Sequence, residues 1–211
     1  MSMAALTLYV DSQYASPYAM SAFVALTEKQ LPFDIKTVDL AEKEHYQTSY
    51  STASLTHRVP TLIHDEFTLS ESSAIDEYID EVFPGTMLYP ADVKQRARAR
   101  QVQAWMRSDL MPIRMERGTT VIFYQRKKPS LSLEGHEAAR KLFFFAGQLL
   151  PQGAKSLFGE WSIADVDLSL MLQRLICNGD EVPPRLADYA NYQWQRPSIR
   201  AWMQMQRPSL K

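Results

Sequence analysis

Ser16 stands at the boundary between a strand-like segment and a helical one. Ala5 to Val10 places apolar residues at every second position, and the period becomes that of a helix from Pro17 onward. A helix start offers free N–H donors and the positive end of the helix dipole, so an anion or a thiolate would be stabilised beside the Ser16 hydroxyl. The same hydroxyl could simply cap the helix, and the two roles do not exclude each other. Three nearby hydroxyls compete for the chemical role: Tyr9, Ser12 and Tyr14.

Val59 and Pro60 precede a short apolar run that is typical of a strand. A proline, which has no N–H, is tolerated at the start of such a strand. If the Val59–Pro60 bond is cis, the N–H and C=O of Val59 turn away from the sheet and can pair with a peptide-like ligand. A trans proline opening an edge strand is the more frequent case, and the residues alone leave the choice open.

Glu71, Ser72 and Ser73 open another helical segment. Acidic and hydroxyl side chains at a helix start satisfy its free N–H groups, and they can equally bind the carboxylate and ammonium of an amino acid. A helix start, a proline before a strand and a second helix start can all face one edge of a small sheet. The three positions therefore predict one binding edge.

The hydrophobic pattern of residues 1–82 predicts the element order β, α, β, β, β, α. The first β, α, β succession is a unit of parallel strands with a right-handed crossover. A hairpin follows, and then a helix over Ser72 to Val82. Residues 83–92 combine two prolines and a glycine with no periodicity, which indicates a linker.

The chain after residue 92 is helical in its apolar spacing. Four segments carry that spacing: Val102 to Ile113 with a kink expected at Pro112, Glu134 to Leu150, the stretch behind a capping box at Ser162 and Asp165, and Ser198 to Met205. The sequence thus predicts an α/β first half and an all-α second half.

Composition excludes several classes of function. The 211 residues are 45% apolar and 22% charged, as in an ordinary folded protein, and 23 basic against 24 acidic residues give a net charge of −1. That charge supplies no general attraction for nucleic acid or anionic lipid. No segment has the length of a membrane helix, and residues 1–10 lack the pattern of a secretion signal. Cys177 is the single cysteine, which fits the reducing cytoplasm, and the four histidines show no zinc-type spacing, so no metal is expected.

Three segments together resemble the glutathione S-transferases: Ser16-Pro17-Tyr18, Arg58-Val59-Pro60-Thr61-Leu62 and Glu71-Ser72-Ser73-Ala74-Ile75. The linker, the helical second half and the capping box match that family as well. The resemblance implies a thioredoxin-like βαβ-ββα domain with a mixed four-stranded sheet over residues 1–82. A linker over 83–92 and an all-helical domain over 93–211 would follow.

The resemblance also implies roles for individual residues. Ser16 corresponds to the hydroxyl that activates the thiol of glutathione in the serine-using branches. Val59, before a cis Pro60, would pair its backbone with the cysteinyl part of glutathione, and Glu71 and Ser72 would hold the γ-glutamyl end. Position 16 is not cysteine and no Cys-x-x-Cys occurs, so the similarity to thiol-disulfide members ends at the fold.

The helical half is expected to line an apolar subsite for the second substrate. The candidates are large, adaptable side chains that could instead be plain core: Trp105, Met106, Met111 and Tyr124. The resemblance implies a cytoplasmic homodimer that joins glutathione to a small hydrophobic electrophile, or that reduces a hydroperoxide. Two alternatives stay open, a non-catalytic binding module and a glutathione-dependent isomerase or dehalogenase.

Overall fold

The computed structural model describes residues 5–210, which form two compact units, 5–88 with 201–210 and 89–200. Residues 1–4, part of the segment expected to lack a secretion signal, lie outside the described residues. The functional boundaries 1–82, 83–92 and 93–211 stay a prediction. No helix within 5–210 is both long enough and apolar enough to cross a bilayer.

The first unit is built on a four-stranded sheet in the order β2-β1-β3-β4. The strands are β1 (Leu6–Asp11), β2 (Asp34–Val38), β3 (Thr61–His64) and β4 (Phe67–Ser70). β1 and β2 are parallel, whereas β3 runs antiparallel to both β1 and β4. The predicted mixed βαβ-ββα arrangement is confirmed.

Two longer helices cover this sheet, α1 (Pro17–Glu28) and α3 (Ser72–Val82), and they contact each other. Every residue of α1 from Ala19 to Leu26 is buried, which explains why this helix lacks a polar face in its centre. A 3-10 turn (Glu44–Tyr46) and the short α2 (Thr48–Ser51) lie between β2 and β3. Such short elements have too few residues to display a period, and the sequence did not predict them.

The second unit is all-helical, as predicted. Its helices are α4 (Val93–Ser108), α5 (Met111–Glu116), α6 (Thr120–Phe123), α7 (Leu133–Leu149), α8 (Ile163–Asn178), α9 (Pro184–Gln193) and the first residues of α10 (Pro197–Met203). α8 is buried along most of its length and contacts α4, α6 and α9, so it forms the centre of this unit.

The predicted single helix through Ile113 with a kink at Pro112 is wrong. α4 ends at Ser108, and α5 begins at Met111 with Pro112 as its second residue. Pro112 has no N–H for the carbonyl of Ser108 and its ring would crowd that carbonyl, so the chain divides into two helices instead of bending one. α9 was not predicted either, although Pro184 at its first position is a usual helix-start signal.

The Asp165 carboxylate ties together three segments of the second unit. It is fully buried and accepts hydrogen bonds from the Leu157 N–H (2.9 Å), the Ser162 N–H (2.8 Å) and the Tyr189 hydroxyl (2.7 Å). Burial raises the pKa of this carboxyl, while the hydrogen bonds act in the opposite direction. The predicted capping box is therefore present, and it also fixes the loop before α8 and the side of α9.

Asp165→Ala leaves several buried donors without an acceptor, so it is expected to lower the free energy of unfolding by about 3–5 kcal/mol. Tyr189→Phe removes one donor and leaves the others paired, so about 1 kcal/mol is expected. Urea unfolding followed by circular dichroism measures both. Asp188→Ala, an exposed position on α9, is the control. Equal midpoints for Asp165→Ala and the control would contradict the role given to this carboxylate.

Candidate functional site

The register of the sheet brings three loops to one edge. Tyr9 of β1 pairs with Thr61, the first residue of β3, and Thr61 pairs with Ser70, the last residue of β4. The end of β1, the start of β3 and the end of β4 therefore lie side by side. The residues that follow or precede them at this edge are the predicted site residues: Ser16, Val59, Pro60, Glu71 and Ser72.

Ser16 is the N-cap of α1 and is half-buried. Its Oγ accepts a hydrogen bond from the Ala19 N–H at 3.2 Å. In the described part of the chain, no acceptor is found for the hydroxyl proton of Ser16. Capping and chemistry are thus compatible, because the cap uses a lone pair and leaves the proton for an anion at the helix start.

Asp11, the last residue of β1, was not predicted as a site residue, and it holds Ser16 in place. Its side chain is only slightly exposed, at 6%, and its two oxygens accept from the Ala15 N–H at 2.8 Å and the Ser16 N–H at 2.9 Å. The Asp11 carbonyl accepts from the N–H of Tyr14, which closes the turn. An aspartate at the end of a strand, a few residues before a helix cap, was the available signal.

The C-terminal segment packs on the same turn within the first unit. Trp202 is fully buried, and its ring lies 5.2 Å from Phe23 of α1 and 5.8 Å from Tyr14. The Nε of Arg207 donates to the Tyr14 carbonyl at 3.3 Å. Residues near the end of the chain therefore help to hold the turn that carries Ser16.

The rival hydroxyls lie in other surroundings. The Tyr9 ring contacts Tyr50 edge-on at 5.3 Å, and Tyr14 contacts Trp202. The backbone N–H of Ser12 donates to Val38 and continues the pairing of β1 with β2. Of the four hydroxyl residues, Ser16 is the one at the N-cap, where the helix dipole acts.

The Val59–Pro60 peptide bond is cis. No hydrogen bond to the backbone N–H or C=O of Val59 is found among residues 5–210, whereas the neighbouring Arg58 carbonyl accepts several. The Tyr50 hydroxyl donates to it at 2.6 Å, Thr61 Oγ1 at 3.1 Å and Ser54 Oγ at 3.2 Å. The backbone before Pro60 is thus fixed through Arg58, and the N–H and C=O of Val59 have no hydrogen-bond partner in the described part of the chain.

These donors belong to a hydroxyl cluster, which we define as Tyr50, Ser54, Thr61 and Ser70. All four are buried; Thr61 Oγ1 lies 2.9 Å from Ser54 Oγ, and Ser54 and Ser70 share a hydrogen bond of 3.1 Å. Burial raises the pKa of the Tyr50 hydroxyl, so it remains a donor. The cluster was missed because its members come from separate elements and share no sequence spacing.

Glu71 is the N-cap of α3 and has a positive φ of 72°. Its carbonyl accepts from the Ile75 N–H at 3.0 Å, and its side chain is exposed and makes no capping bond. Ser72, the first residue of α3, is buried. A non-glycine residue in this sparsely occupied region is a feature often found at ligand sites, where the surrounding structure imposes it.

The predicted subsite residues lie on different elements of the second unit. Trp105 on α4 stacks on Phe145 at 4.2 Å, and Met106 beside it is buried at 4% exposure. Met111 at the start of α5 is half-exposed, and Tyr124 follows α6. Their joint role as a subsite stays a prediction.

Two family models match the chain. The model described as the glutathione S-transferase N-terminal domain matches residues 15–82, and the model of the C-terminal domain of that family matches residues 92–207. Glutathione S-transferase U28 of Arabidopsis thaliana is 32% identical over 161 residues, which are 75% of this chain and 67% of that protein. A probable maleylacetoacetate isomerase 2 of Drosophila melanogaster is 32% identical over 104 residues, 48% of this chain and 46% of that protein.

Solved structures agree with these matches. A glutathione transferase homologue from Burkholderia gl BGR1, solved with bound glutathione, is 46% identical and has a TM-score of 0.78, covering 93% of this chain and 95% of that chain. A Tau class glutathione S-transferase from mango has a TM-score of 0.75 at 20% identity, covering 95% of this chain and 93% of that chain, and is alike in fold. The chain belongs to the glutathione S-transferase family.

Proposed function

We propose that this protein binds glutathione at the sheet edge and transfers its thiolate to small hydrophobic electrophiles. The observation that carries the proposal is the Ser16 hydroxyl, which accepts from Ala19 and keeps its own proton to donate to sulfur. The related protein from Burkholderia was solved with glutathione bound, and relatives named glutathione S-transferase cover most of this chain. Both support glutathione as the co-substrate.

Each part of the tripeptide has a proposed partner. The backbone N–H and C=O of Val59 pair with the cysteinyl unit, as one strand pairs with another, and Pro60 holds that backbone in its cis form. Glu71 and Ser72 bind the γ-glutamyl end, where the exposed Glu71 carboxylate meets the ligand's ammonium group. Arg58 is an exposed cation beside Val59 and is suited to a glutathione carboxylate. Residues 1–82 would form the glutathione-binding part and 93–211 the electrophile part.

The energy required of the site is modest. A free thiol has a pKa near 8.5, and lowering it by about two units costs about 2.7 kcal/mol. A hydrogen bond to a charged acceptor contributes about 1.5–3 kcal/mol, and a helix N-terminus about 0.3–2 kcal/mol. Ser16 and α1 together can therefore keep the bound sulfur ionised near neutral pH without a general base.

In conjugation the thiolate forms a carbon–sulfur bond, and the leaving group departs with the electron pair of the bond that breaks. With a hydroperoxide the same thiolate attacks the terminal oxygen, the O–O bond breaks, and the alkoxide that leaves takes a proton from water to become the alcohol. A second glutathione then converts the resulting sulfenic acid to the disulfide and water.

We propose transfer as the main reaction and hydroperoxide reduction as a second one. A homodimeric state and a cytoplasmic location are proposed with them; sedimentation and cell fractionation test these two.

A glutathione-dependent isomerase is the second candidate, favoured by the matches to proteins named maleylacetoacetate isomerase and maleylpyruvate isomerase. There the thiolate would add to a double bond and leave again after rotation, so glutathione is not consumed. A dehalogenase would use the same first-domain residues, and product analysis separates the reactions. Failure to bind glutathione together with failure to turn over an electrophile would favour a non-catalytic binding module instead.

Ser16→Ala is expected to lower turnover with a chloronitroaromatic electrophile by about one to three orders of magnitude, or about 1.4–4 kcal/mol. Affinity for glutathione should stay within severalfold, because the hydroxyl acts on the sulfur. The ultraviolet absorbance of the bound thiolate, recorded against pH, should show a higher pKa than in the unaltered protein. Ser12→Ala is the control from the same turn. If Ser16→Ala leaves turnover unchanged, Ser16 has no part in the reaction.

Asp11→Ala removes the acceptor of two backbone N–H groups, each costing about 1–3 kcal/mol when unpaired. We expect a lower unfolding temperature and, well below it, a reduced turnover with a thiolate pKa shifted upward, because Ser16 is no longer held. Asp11→Asn keeps one acceptor oxygen, so its unfolding temperature and turnover should lie between those of Asp11→Ala and those of the unaltered protein. Asp34→Ala, exposed on β2, is the control. A stability loss without any change in turnover or thiolate pKa would limit Asp11 to a structural role.

Tyr50→Phe removes one of the three donors to the Arg58 carbonyl and loosens the backbone before Pro60. The affinity for glutathione should fall by about two- to tenfold, matching the loss of one hydrogen bond of about 0.5–1.5 kcal/mol, while turnover at saturation stays near normal. Isothermal titration calorimetry and steady-state kinetics measure the two effects. Tyr46→Phe, at a largely exposed position, is the control. Unchanged affinity would show that the hydroxyl cluster does not control the binding edge.

A further inference from the structure

The second unit contains a cavity of about 380 Å³ between α7, the end of α8 and the loop that leads to α9. This volume is in the range of small-molecule binding sites. Leu131, Ala139 and Leu175 are buried in its wall, and Phe143 and Val182 add further apolar surface. None of the residues proposed to bind glutathione or the electrophile lines this cavity.

One of the two carboxylates in the cavity wall is already neutralised. Arg117 is 1% exposed, and its guanidinium donates to both oxygens of Asp180, at 2.5 and 2.7 Å. The hydrogen bond with Asp180 in turn raises the pKa of Arg117, so the guanidinium stays protonated. Asp180 therefore serves as the counterion of a buried cation and is not available to a ligand.

Two other side chains of the cavity wall carry opposite charges and have no partner in the described part of the chain. Arg140 on α7 and Glu181 in the loop before α9 are exposed, and neither side chain forms a hydrogen bond or an ion pair with any residue in 5–210. His136 lies one turn before Arg140 and also lines the cavity. The cavity thus presents an apolar wall, one unpaired cation and one unpaired anion.

We propose that this cavity binds a zwitterion with an apolar side chain, such as an aromatic or branched-chain amino acid. Arg140 would bind the carboxylate and Glu181 the ammonium group. The side chain of the ligand would pack against the apolar wall formed by Leu131, Phe143 and Val182. A ligand with one charge would leave either Arg140 or Glu181 without a partner, and a fully apolar ligand would leave both. The inference rests on the cavity alone and does not depend on the proposed function.

Three probes of matching shape test the assignment: L-phenylalanine, 3-phenylpropionate, which lacks the ammonium group, and 2-phenylethylamine, which lacks the carboxylate. Their binding to the full chain is measured by saturation-transfer NMR and isothermal titration calorimetry, with glutathione binding followed in the same samples. L-phenylalanine should bind at least about tenfold more tightly than either analogue, since each missing charge forfeits a charge-assisted hydrogen bond. Equal binding of the three probes, or no binding of L-phenylalanine, overturns the proposal.

Variants locate the site. Arg140→Gln and Glu181→Gln should each weaken L-phenylalanine by about tenfold and bring its affinity close to that of the matching analogue. Val182→Trp, which adds a large ring to the cavity wall, should abolish binding. Glu137→Gln, an exposed change on α7 outside the cavity, is the control and should have no effect. Binding of L-phenylalanine that survives all three cavity variants lies elsewhere and overturns the assignment, whatever happens to glutathione binding.

Discussion

The position of β3 between two antiparallel neighbours is the constraint on which the candidate site depends. Because Thr61 is paired with Tyr9 on one side and with Ser70 on the other, the start of β3 lies beside the end of β1 and the end of β4. A shift of one residue in either pairing would turn Thr61 to the opposite face of the sheet. The hydroxyl cluster would then come apart, and the Arg58 carbonyl before Pro60 would lose its contact with the Thr61 hydroxyl.

Buried polar groups fix each loop of that edge. A carboxylate, Asp11, holds the turn before α1 by accepting from two N–H groups. A carbonyl, that of Arg58, holds the segment before β3 by accepting from three hydroxyls. Asp11 accepts from Ser16 itself through the backbone N–H, whereas the Arg58 carbonyl anchors the residue before Val59, so the Ser16 hydroxyl proton and the backbone of Val59 are not used by these anchors. Rigid support of this kind is what the proposed chemistry requires, since that proposal relies on one hydroxyl and one helix start.

Hydrogen-bonded polar groups also stabilise the second unit. Asp165 and the pair of Arg117 with Asp180 are fully committed to structure, since their partners lie within the helical unit. Arg140 and Glu181, by contrast, line a cavity without a hydrogen-bond or ion-pair partner in the described part of the chain. The distinction between a satisfied and an unsatisfied charge depends on distances within the fold, and a count of charged residues does not reveal it.

Local signals in the sequence were sufficient for the main elements of the first unit. Alternating apolar residues located β1, Ser16 and Pro17 located the start of α1, and the apolar spacing gave α3 its bounds. Local signals were insufficient for the helices of the second unit whose bounds depend on long-range contacts. A proline such as Pro112 can either kink or break a helix, and α5 in the folded chain contacts α7 and α8; α9 carries a local start signal at Pro184, but its contacts with α8 are visible only in the fold.

The sequence by itself determined the two-part architecture, the family and the residues at the three landmark positions, because each is carried by residue types at short spacing. Tertiary structure alone decided that the Val59–Pro60 bond is cis, that Asp11 and the hydroxyl cluster support the edge, and that Arg140 and Glu181 share a cavity. The physical reason is that these features arise between residues far apart in the chain. Their energies depend on burial and on distances that only the folded chain defines.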